Sequence, residues 1–114
     1  MKIYHNPRCS KSRCALEWLQ EKSFEFEVVD YIKNPPKISE IKLILSQLNR
    51  NSMDLIRKNE TEFKEFIQGK NLSEAEIIEL MSKYPKLIER PIVINKGKAV
   101  IARPIEKLIE FITN

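Results

Sequence analysis

Residues 2–31 read KIYHNPRCSKSRCALEWLQEKSFEFEVVDY, and this stretch decides the fold. Its apolar opening, residues 2–5, predicts a short strand that the turn-forming pair Asn6-Pro7 brings to an end. Residues 24–31 alternate apolar with acidic side chains, and this period of two predicts a second strand. Between them, from residue 10 to about residue 22, apolar residues recur at steps of three and four, as an amphipathic helix requires: Cys14, Ala15, Trp18 and Leu19. Cys9 is therefore expected at the N-terminus of a helix.

The stretch from residue 39 to residue 84 is predicted to be helical throughout. Ser39 is expected to cap a helix whose apolar face consists of Ile41, Ile44, Leu45 and Leu48. Ser73 and Glu76 form a capping box ahead of a second apolar face, made of Ile77, Ile78, Leu80 and Met81. Two shorter helices are predicted around residues 52–57 and 61–67.

The last third of the chain predicts a hairpin and a helix. Residues 91–95 and 98–102 are β-branched runs joined by Lys96-Gly97, which indicates an antiparallel hairpin, and residues 106–113 return to helical spacing. The first two strands should be parallel because a helical crossover joins them. The predicted fold class is α/β, a thioredoxin-like mixed sheet of four strands flanked by helices. We expect residues 1–114 to form a single domain, with an all-helical insertion at about residues 37–84 between strands 2 and 3.

The composition limits the class of protein. The chain has 114 residues, 42% hydrophobic and 32% charged, which is typical of one globular domain. Its net charge is +4, and the basic and acidic residues are interspersed along the chain. This balance suits a small anionic substrate and gives little support to a nucleic-acid partner. No apolar run approaches the roughly 20 residues that cross a bilayer, and the N-terminus lacks the apolar stretch of a signal peptide. We therefore expect a cytoplasmic monomer without a membrane partner.

Cysteine usage points to reactive thiol chemistry. The two cysteines, Cys9 and Cys14, lie too close together to join distant segments, and no cluster of Cys and His predicts a metal site. A thiol has an ordinary pKa of about 8.5, and the free N–H groups and dipole at a helix N-terminus favour its ionised form. Basic and hydroxyl side chains surround Cys9: Arg8, Ser10, Lys11, Ser12 and Arg13. Arg13, four residues on, should project from the same helix face, so the loop is predicted to hold an oxyanion beside the sulfur.

A buried packing role is the alternative for Cys9, because free cysteine is often buried. Apolar packing does not explain the basic and hydroxylic neighbours, and these favour the functional interpretation.

Four further segments, taken together, resemble the glutaredoxin-coupled arsenate reductase (ArsC) family. They are His5-Asn6-Pro7-x-Cys9, Leu55-Ile56-Arg57-Lys58-Asn59, Glu89-Arg90-Pro91-Ile92-Val93 and Ala102-Arg103-Pro104. None of the four is specific alone, but their order and spacing extend the resemblance from residue 2 to about residue 112. The resemblance implies the thioredoxin-like fold, with the reactive cysteine at the start of the first helix.

The resemblance also assigns roles to individual residues. It implies that Cys9 is the catalytic nucleophile and that Arg57, Arg90 and Arg103 clamp the substrate anion. Arginine suits this role because its planar fork of donors matches a tetrahedral oxyanion better than the point charge of lysine. On composition alone, an ordinary surface charge is the better interpretation of any one of these arginines. Arg90 and Arg103, however, each precede a proline at the end of a predicted strand and should emerge at the same sheet edge.

Two more residues receive a role from the resemblance. His5 is implied to lie beneath the loop and tune the cysteine, although a structural histidine at a strand end is the equal alternative. Pro91 corresponds to the proline that thioredoxin-like folds usually keep cis beside the active cysteine.

The implied activity is reduction of arsenate to arsenite through a Cys9 adduct. Glutathione would be the co-substrate, glutaredoxin the resolving partner, and no bound cofactor or metal is implied. Two alternatives stay open. One is a glutathione-dependent reductase of another substrate, which would use the same cysteine. The other is a redox regulator resembling the Spx-type proteins that contact RNA polymerase, although those usually carry Cys-x-x-Cys and Ser12 occupies the second position here.

Cys14 is expected to be a small residue on or near the packed helix face and not a resolving cysteine. Five residues along an ideal helix separate two Cα atoms by roughly 8 to 9 Å. A disulfide rarely spans more than about 7 Å, so a Cys9–Cys14 bond would require the first helical turn to unwind.

Overall fold

A mixed sheet of four strands organises the first of two units. The computed structural model describes residues 1–113. The strands are β1 (Lys2–His5), β2 (Glu27–Asp30), β3 (Ile92–Asn95) and β4 (Lys98–Ile101). Their order is β2-β1-β3-β4, with β1 and β2 parallel and the other two pairs antiparallel. The predicted thioredoxin-like sheet is confirmed.

The predicted hairpin between β3 and β4 is also confirmed. Asn95 pairs with Lys98, and the two residues between them, Lys96 and Gly97, have φ values of 53° and 77°. Positive φ at both central positions is what a two-residue hairpin turn requires.

Strand β2 is shorter than the alternation predicts. Only residues 27–30 pair, because β2 is an edge strand whose single neighbour, β1, offers four residues. Phe24 and Phe26, which were expected inside the strand, precede it and pack partly buried against the core. Val28, on the same expected face, is 46% exposed. Alternation therefore indicated the strand but not its length.

Two helices, α1 (Ser10–Glu21) and α5 (Ile105–Thr113), complete the first unit. The side chains of its core cluster are at most 1% exposed: Ile3, Ala15, Leu19, Val93, Ala102 and Leu108. Each large apolar side chain buried in this way contributes about 1.5–3 kcal/mol to stability. The cluster packs α1 against the sheet and so fixes the position of the N-terminus of α1, where Cys9 lies.

The second unit, Pro35–Glu89, contains helices α2 (Ile38–Leu48), α3 (Thr61–Phe66) and α4 (Glu74–Lys83). Two 3₁₀ helices, Ser52–Leu55 and Pro85–Leu87, lie between and after them. Helix α2 packs against α4, and both carry buried apolar faces: Ile41, Ile44, Leu45, Ile77, Ile78 and Met81. That residues 1–114 form one domain stays a prediction.

Two expectations for this unit are corrected and one is confirmed. Ser39 does not cap α2. The cap position lies two residues earlier, at Lys37, and the Lys37 N–H donates to Glu40 Oε1 at 3.4 Å. The unit is not helical throughout, since Ile56 and Ile88 form an antiparallel bridge. The capping box of α4 is confirmed: Glu76 N–H donates to Ser73 Oγ at 3.2 Å, and the Glu76 carboxylate accepts the Ser73 N–H at 3.0 Å.

None of the helices within residues 1–113 combines the length and the apolar character needed to span a membrane.

Candidate active site

One edge of the sheet brings several chain segments together. The C-terminal ends of β1, β2 and β4 meet the start of β3 there. Just beyond the strands, the Ala102 N–H donates to the Pro91 carbonyl oxygen at 2.9 Å. Arg90 and Arg103 therefore leave the sheet at the same edge, and each is joined to the proline after it by a cis peptide bond.

Cys9 follows β1 and occupies the N-cap position of α1. The Cys9 N–H donates to the Asn6 carbonyl at 3.0 Å, and the Arg8 N–H donates to Asn6 Oδ1 at 3.0 Å. The Arg13 N–H then donates to the Cys9 carbonyl at 3.0 Å, which begins the helix. Asn6 thus folds the loop back on itself, and the thiol is left half-buried at the helix N-terminus.

The surroundings of Cys9 lower its pKa. Partial burial acts in the opposite direction and raises the pKa. This is outweighed by the nearby Ser12 N–H, the Arg90 side chain and the Lys11 N–H, together with the positive charge of Arg90, all of which favour the ionised sulfur. The first-turn amides and one guanidinium therefore favour the thiolate over the thiol.

Arg90 is partly buried near Cys9. This burial lowers its pKa, but the nearby Cys9 and Tyr31 side chains raise the pKa above the ordinary value overall. Its Nε atom is buried and has no hydrogen-bond partner among residues 1–113. The Nε–H group of the Arg90 guanidinium is therefore a donor that a bound acceptor can use.

Arg103 presents a second unused donor. Its Nη1 atom is buried without a hydrogen-bond partner in the described part of the chain. A buried donor without a partner costs free energy, and a bound acceptor such as an anion would recover that cost. Arg90 and Arg103 therefore both offer N–H groups that an oxyanion can use.

His5 lies beneath the loop at the end of β1 and is 6% exposed. Its Nδ1 lies 2.6 Å from Ser12 Oγ, which also accepts the Asn6 N–H at 3.0 Å. Burial lowers the pKa of His5, and the charge of Arg13 lowers it further, while the charge of Asp30 and the Ser12 backbone raise it in part. The net lowering favours a neutral imidazole, whose Nδ1 can accept the Ser12 hydroxyl proton.

The loop hydroxyls and Arg13 differ from the expected arrangement. Ser12 is fully buried, and its hydroxyl is engaged with His5 and Asn6 and is not available to the sulfur. Its backbone N–H contributes to lowering the pKa of Cys9. Ser10 is exposed in the first turn of α1. Arg13 is exposed and donates from Nη1 to the Pro7 carbonyl at 3.0 Å, which fastens the outside of the loop.

The expectation that Cys14 lies on or near the packed face is wrong. Cys14 is exposed, and the buried residues of α1 are Ser12, Ala15 and Leu19. The face of α1 that packs is therefore rotated away from Cys14. Both cysteines are free thiols.

Arg57 belongs to the second unit, directly after the residue that forms the bridge to Ile88. Its Nε lies 3.3 Å from Glu60 Oε1 and its Nη1 lies 3.8 Å from Glu89 Oε1. Its side chain is only 15% exposed, so these carboxylates hold the guanidinium in one orientation.

Sequence reasoning did not single out Tyr31. Its only sequence signal is its place directly after β2, a strand that ends at the same sheet edge as β1. Among residues 1–113, no group of three or more His, Cys, Asp or Glu side chains is arranged to hold a metal ion.

Comparison with known proteins relates this geometry to one family. The sequence model of the ArsC family matches residues 4–111. The chain is 45% identical to "Uncharacterized protein YfgD" of Escherichia coli K12, over 98% of this chain and 96% of that protein. It is 40% identical to an arsenate reductase of Neisseria meningitidis serogroup A, over 95% and 94% of the two chains. The solved structure of an arsenate reductase from Vibrio cholerae superposes with a TM-score of 0.91 at 38% identity, covering 96% of this chain and 97% of the other.

Proposed function

Because the chain belongs to the ArsC family, we propose that it is an oxidoreductase that reduces arsenate to arsenite through Cys9. The proposal is supported by relatives named as arsenate reductases. The observation that carries it is the position of Cys9 at the N-terminus of α1, next to the sheet edge where Arg90 and Arg103 each have a buried donor without a partner in the described part of the chain. An ionised sulfur beside unused guanidinium donors suits nucleophilic attack on an oxyanion.

The proposed reaction begins at the sulfur. The Cys9 thiolate attacks the arsenic of arsenate, an S–As bond forms, and one arsenate oxygen leaves as water after protonation. Glutathione then attacks the Cys9 sulfur and releases arsenite. In this step arsenic gains the two electrons of the S–As bond, and the two sulfurs become a mixed disulfide. Glutaredoxin takes the glutathione from Cys9 and regenerates the thiolate. A second glutathione then attacks the glutaredoxin mixed disulfide, which releases glutathione disulfide and the glutaredoxin thiolate. The net change converts arsenate and two glutathione molecules into arsenite, glutathione disulfide and water.

The arginines have the role of binding and neutralising the anion. Arg90 and Arg103 would donate to the arsenate oxygens and to the charge that builds up in the adduct. Arg57 joins them by resemblance, with its orientation set by Glu60 and Glu89. Pro91 is buried directly after Arg90 and fixes the backbone from which that side chain leaves.

The residues around the loop have supporting roles in the proposal. His5 and Ser12 hold the loop from below, Arg13 fastens it from outside, and Ser10 stands exposed at the helix start. We further propose that the protein acts as a cytoplasmic monomer, with no bound cofactor and with glutathione and glutaredoxin as its partners.

The test is arsenate-dependent oxidation of NADPH coupled through glutathione, glutaredoxin and glutathione reductase. We expect turnover by the wild type and by Cys14→Ser, and none by Cys9→Ser. Arsenate-dependent turnover in Cys9→Ser would refute the assignment of the nucleophile. Activity on a glutathione mixed disulfide without activity on arsenate would indicate the reductase of another substrate. Capture of RNA polymerase without any reductase activity would indicate the regulator instead.

A further inference from the structure

Basic side chains surround Cys9 on the outside of its loop. Arg8, Lys11 and Arg13 are all exposed, and the sequence has no acidic residue before Glu17. The first turn of α1 likewise contains no acidic residue. A helix N-terminus carries partial positive charge, so a lysine in its first turn is unfavourable. The charge of Lys11 therefore does not stabilise the helix that carries it.

Two of these three cations have no partner for their charge. The Arg13 guanidinium donates to the Pro7 carbonyl at 3.0 Å, so the loop itself uses it. Arg8 is held through its backbone N–H, which donates to Asn6 Oδ1 at 3.0 Å. Among residues 1–113, no carboxylate forms an ion pair with the Arg8 guanidinium or the Lys11 ammonium. Both charges therefore face solvent beside the thiol loop.

The site thus has donors at two depths. The buried donors, Arg90 Nε and Arg103 Nη1, suit a small oxyanion. Arg8 and Lys11 are exposed next to the half-buried Cys9, so they meet a reactant that approaches the sulfur from solvent. In the proposed reaction that reactant is glutathione, a tripeptide with a carboxylate on either side of its thiol. Exposed charges of one sign speed the approach of a reactant of the other sign.

We propose that Arg8 and Lys11 are specificity-determining residues that attract the carboxylates of glutathione to Cys9. The inference rests on the proposed function, in which glutathione reacts at the Cys9 sulfur. It assigns the two exposed cations to the thiol step and leaves the oxyanion to the buried arginine donors. A reactant without carboxylates gains nothing from these charges, and a cationic reactant is repelled by them.

The test follows disulfide exchange in a Cys14→Ser background, where Cys9 is the only thiol. The Cys9 thiolate attacks one sulfur of glutathione disulfide, a mixed disulfide forms, and the other glutathione leaves as its thiolate. Mass spectrometry of quenched samples gives the rate. We expect Arg8→Gln combined with Lys11→Gln to slow this reaction roughly 5- to 20-fold at low ionic strength, and the effect to shrink in about 0.5 M salt.

Two other disulfides separate the attraction of carboxylates from a change in the thiol. Bis(2-hydroxyethyl) disulfide is uncharged, and its rate should change by less than about twofold in the double variant. Cystamine carries an ammonium group at each end, and the double variant should react with it faster than the parent protein does. A change in the reactivity of Cys9 itself would alter all three rates by the same factor, and that result would overturn the proposal.

The matched control removes two positive charges at the opposite edge of the sheet, by Lys22→Gln combined with Lys98→Gln. Lys98 begins β4, whose other end reaches the edge beside Cys9, and Lys22 directly follows the far end of α1. Both lysines are exposed, and Lys22 lies about 16 Å along the helix axis from Lys11. This control should leave the rate with glutathione disulfide within about twofold. A loss as large as that of the test variant would show an effect of net charge alone and would overturn the proposal.

The double variant should fold as the parent protein does, because it replaces two exposed side chains whose charges are unpaired. A rate effect that appears only when glutaredoxin is present would overturn the proposal and indicate a protein surface as the partner of these cations. No arsenate takes part in these measurements. Failure of arsenate reduction would therefore leave a positive result standing, and a negative result would leave the assignment of Cys9 as nucleophile standing.

Discussion

The Nδ1 atom of His5 lies 2.6 Å from the hydroxyl oxygen of Ser12. The loop that carries Cys9 lies between these two residues, which are seven positions apart in the chain. His5 ends β1 and Ser12 lies in the first turn of α1, so this bond ties the strand to the helix beneath Cys9. The same hydroxyl accepts the Asn6 N–H at 3.0 Å. One buried oxygen therefore closes the loop from below.

Ser12→Ala should destabilise the protein by about 1–3 kcal/mol, because it leaves His5 Nδ1 and the Asn6 N–H without their partner. The free energy of unfolding in urea measures this. Ser10→Ala is the matched control: Ser10 is exposed, and we expect a change within about 0.5 kcal/mol. Equal losses in the two variants would contradict the role given to the buried hydroxyl.

Stability should fall as the pH drops below about 6.5, the ordinary pKa of histidine. Burial lowers the pKa of His5 in the folded protein, so the unfolded chain binds its proton at a higher pH. The stabilising effect of the neutral imidazole is thus complete above about 6.5 and is lost as the pH falls through the lowered value. Urea unfolding measures the free energy of unfolding at pH 7.5 and at pH 5. Between these two values it should decrease less for His5→Gln, which keeps Asp30 and Arg13, than for the wild type. An identical decrease in the two proteins would exclude His5 as a source of the pH dependence of stability.

Alkylation of Cys9 should reach half its maximal rate below pH 8.5 in the Cys14→Ser protein, because the first-turn amides and Arg90 lower the pKa of the thiol. Arg90→Ala should move this midpoint to higher pH. Lys11→Ala is the control, because Lys11 acts on the sulfur through its backbone N–H, which the substitution retains. A larger shift from Lys11→Ala than from Arg90→Ala would contradict the described contacts.

Arg57→Ala should lower kcat/KM for arsenate by roughly 10- to 100-fold, since a charge-assisted hydrogen bond contributes about 1.5–3 kcal/mol and about 1.4 kcal/mol corresponds to tenfold. The exposed neighbour Lys58 provides the control, and Lys58→Ala should change kcat/KM by less than about twofold. Equal effects of the two substitutions would remove Arg57 from the proposed clamp.

Mild oxidation of the wild type with glutathione disulfide should give Cys9 carrying glutathione and no Cys9–Cys14 disulfide. The physical reason is the distance of roughly 8 to 9 Å between Cα atoms five residues apart in a helix. Mass spectrometry of the digested protein separates the two products. A dominant Cys9–Cys14 linkage would show that the first turn of α1 unwinds.

Local signals in the sequence predicted most of the elements. The three- and four-residue spacing of α1, the Lys96-Gly97 turn and the Ser73–Glu76 capping box each involve residues close in the chain, and each is present in the structure. The order of elements then restricted the sheet, because a helical crossover requires parallel strands and a two-residue turn requires antiparallel ones. The resemblance carried by four short segments indicated the family and the candidate residues.

Contacts between distant segments were decided only by the tertiary structure. Periodicity shows that a helix has a buried face, but the core that meets the helix sets its rotation, and so Cys14 is exposed while Ser12 is fully buried. The length of β2 depended on β1, its single neighbour in the sheet. No local pattern predicts the contact between His5 and Ser12 either, because it arises where the end of β1 meets the first turn of α1.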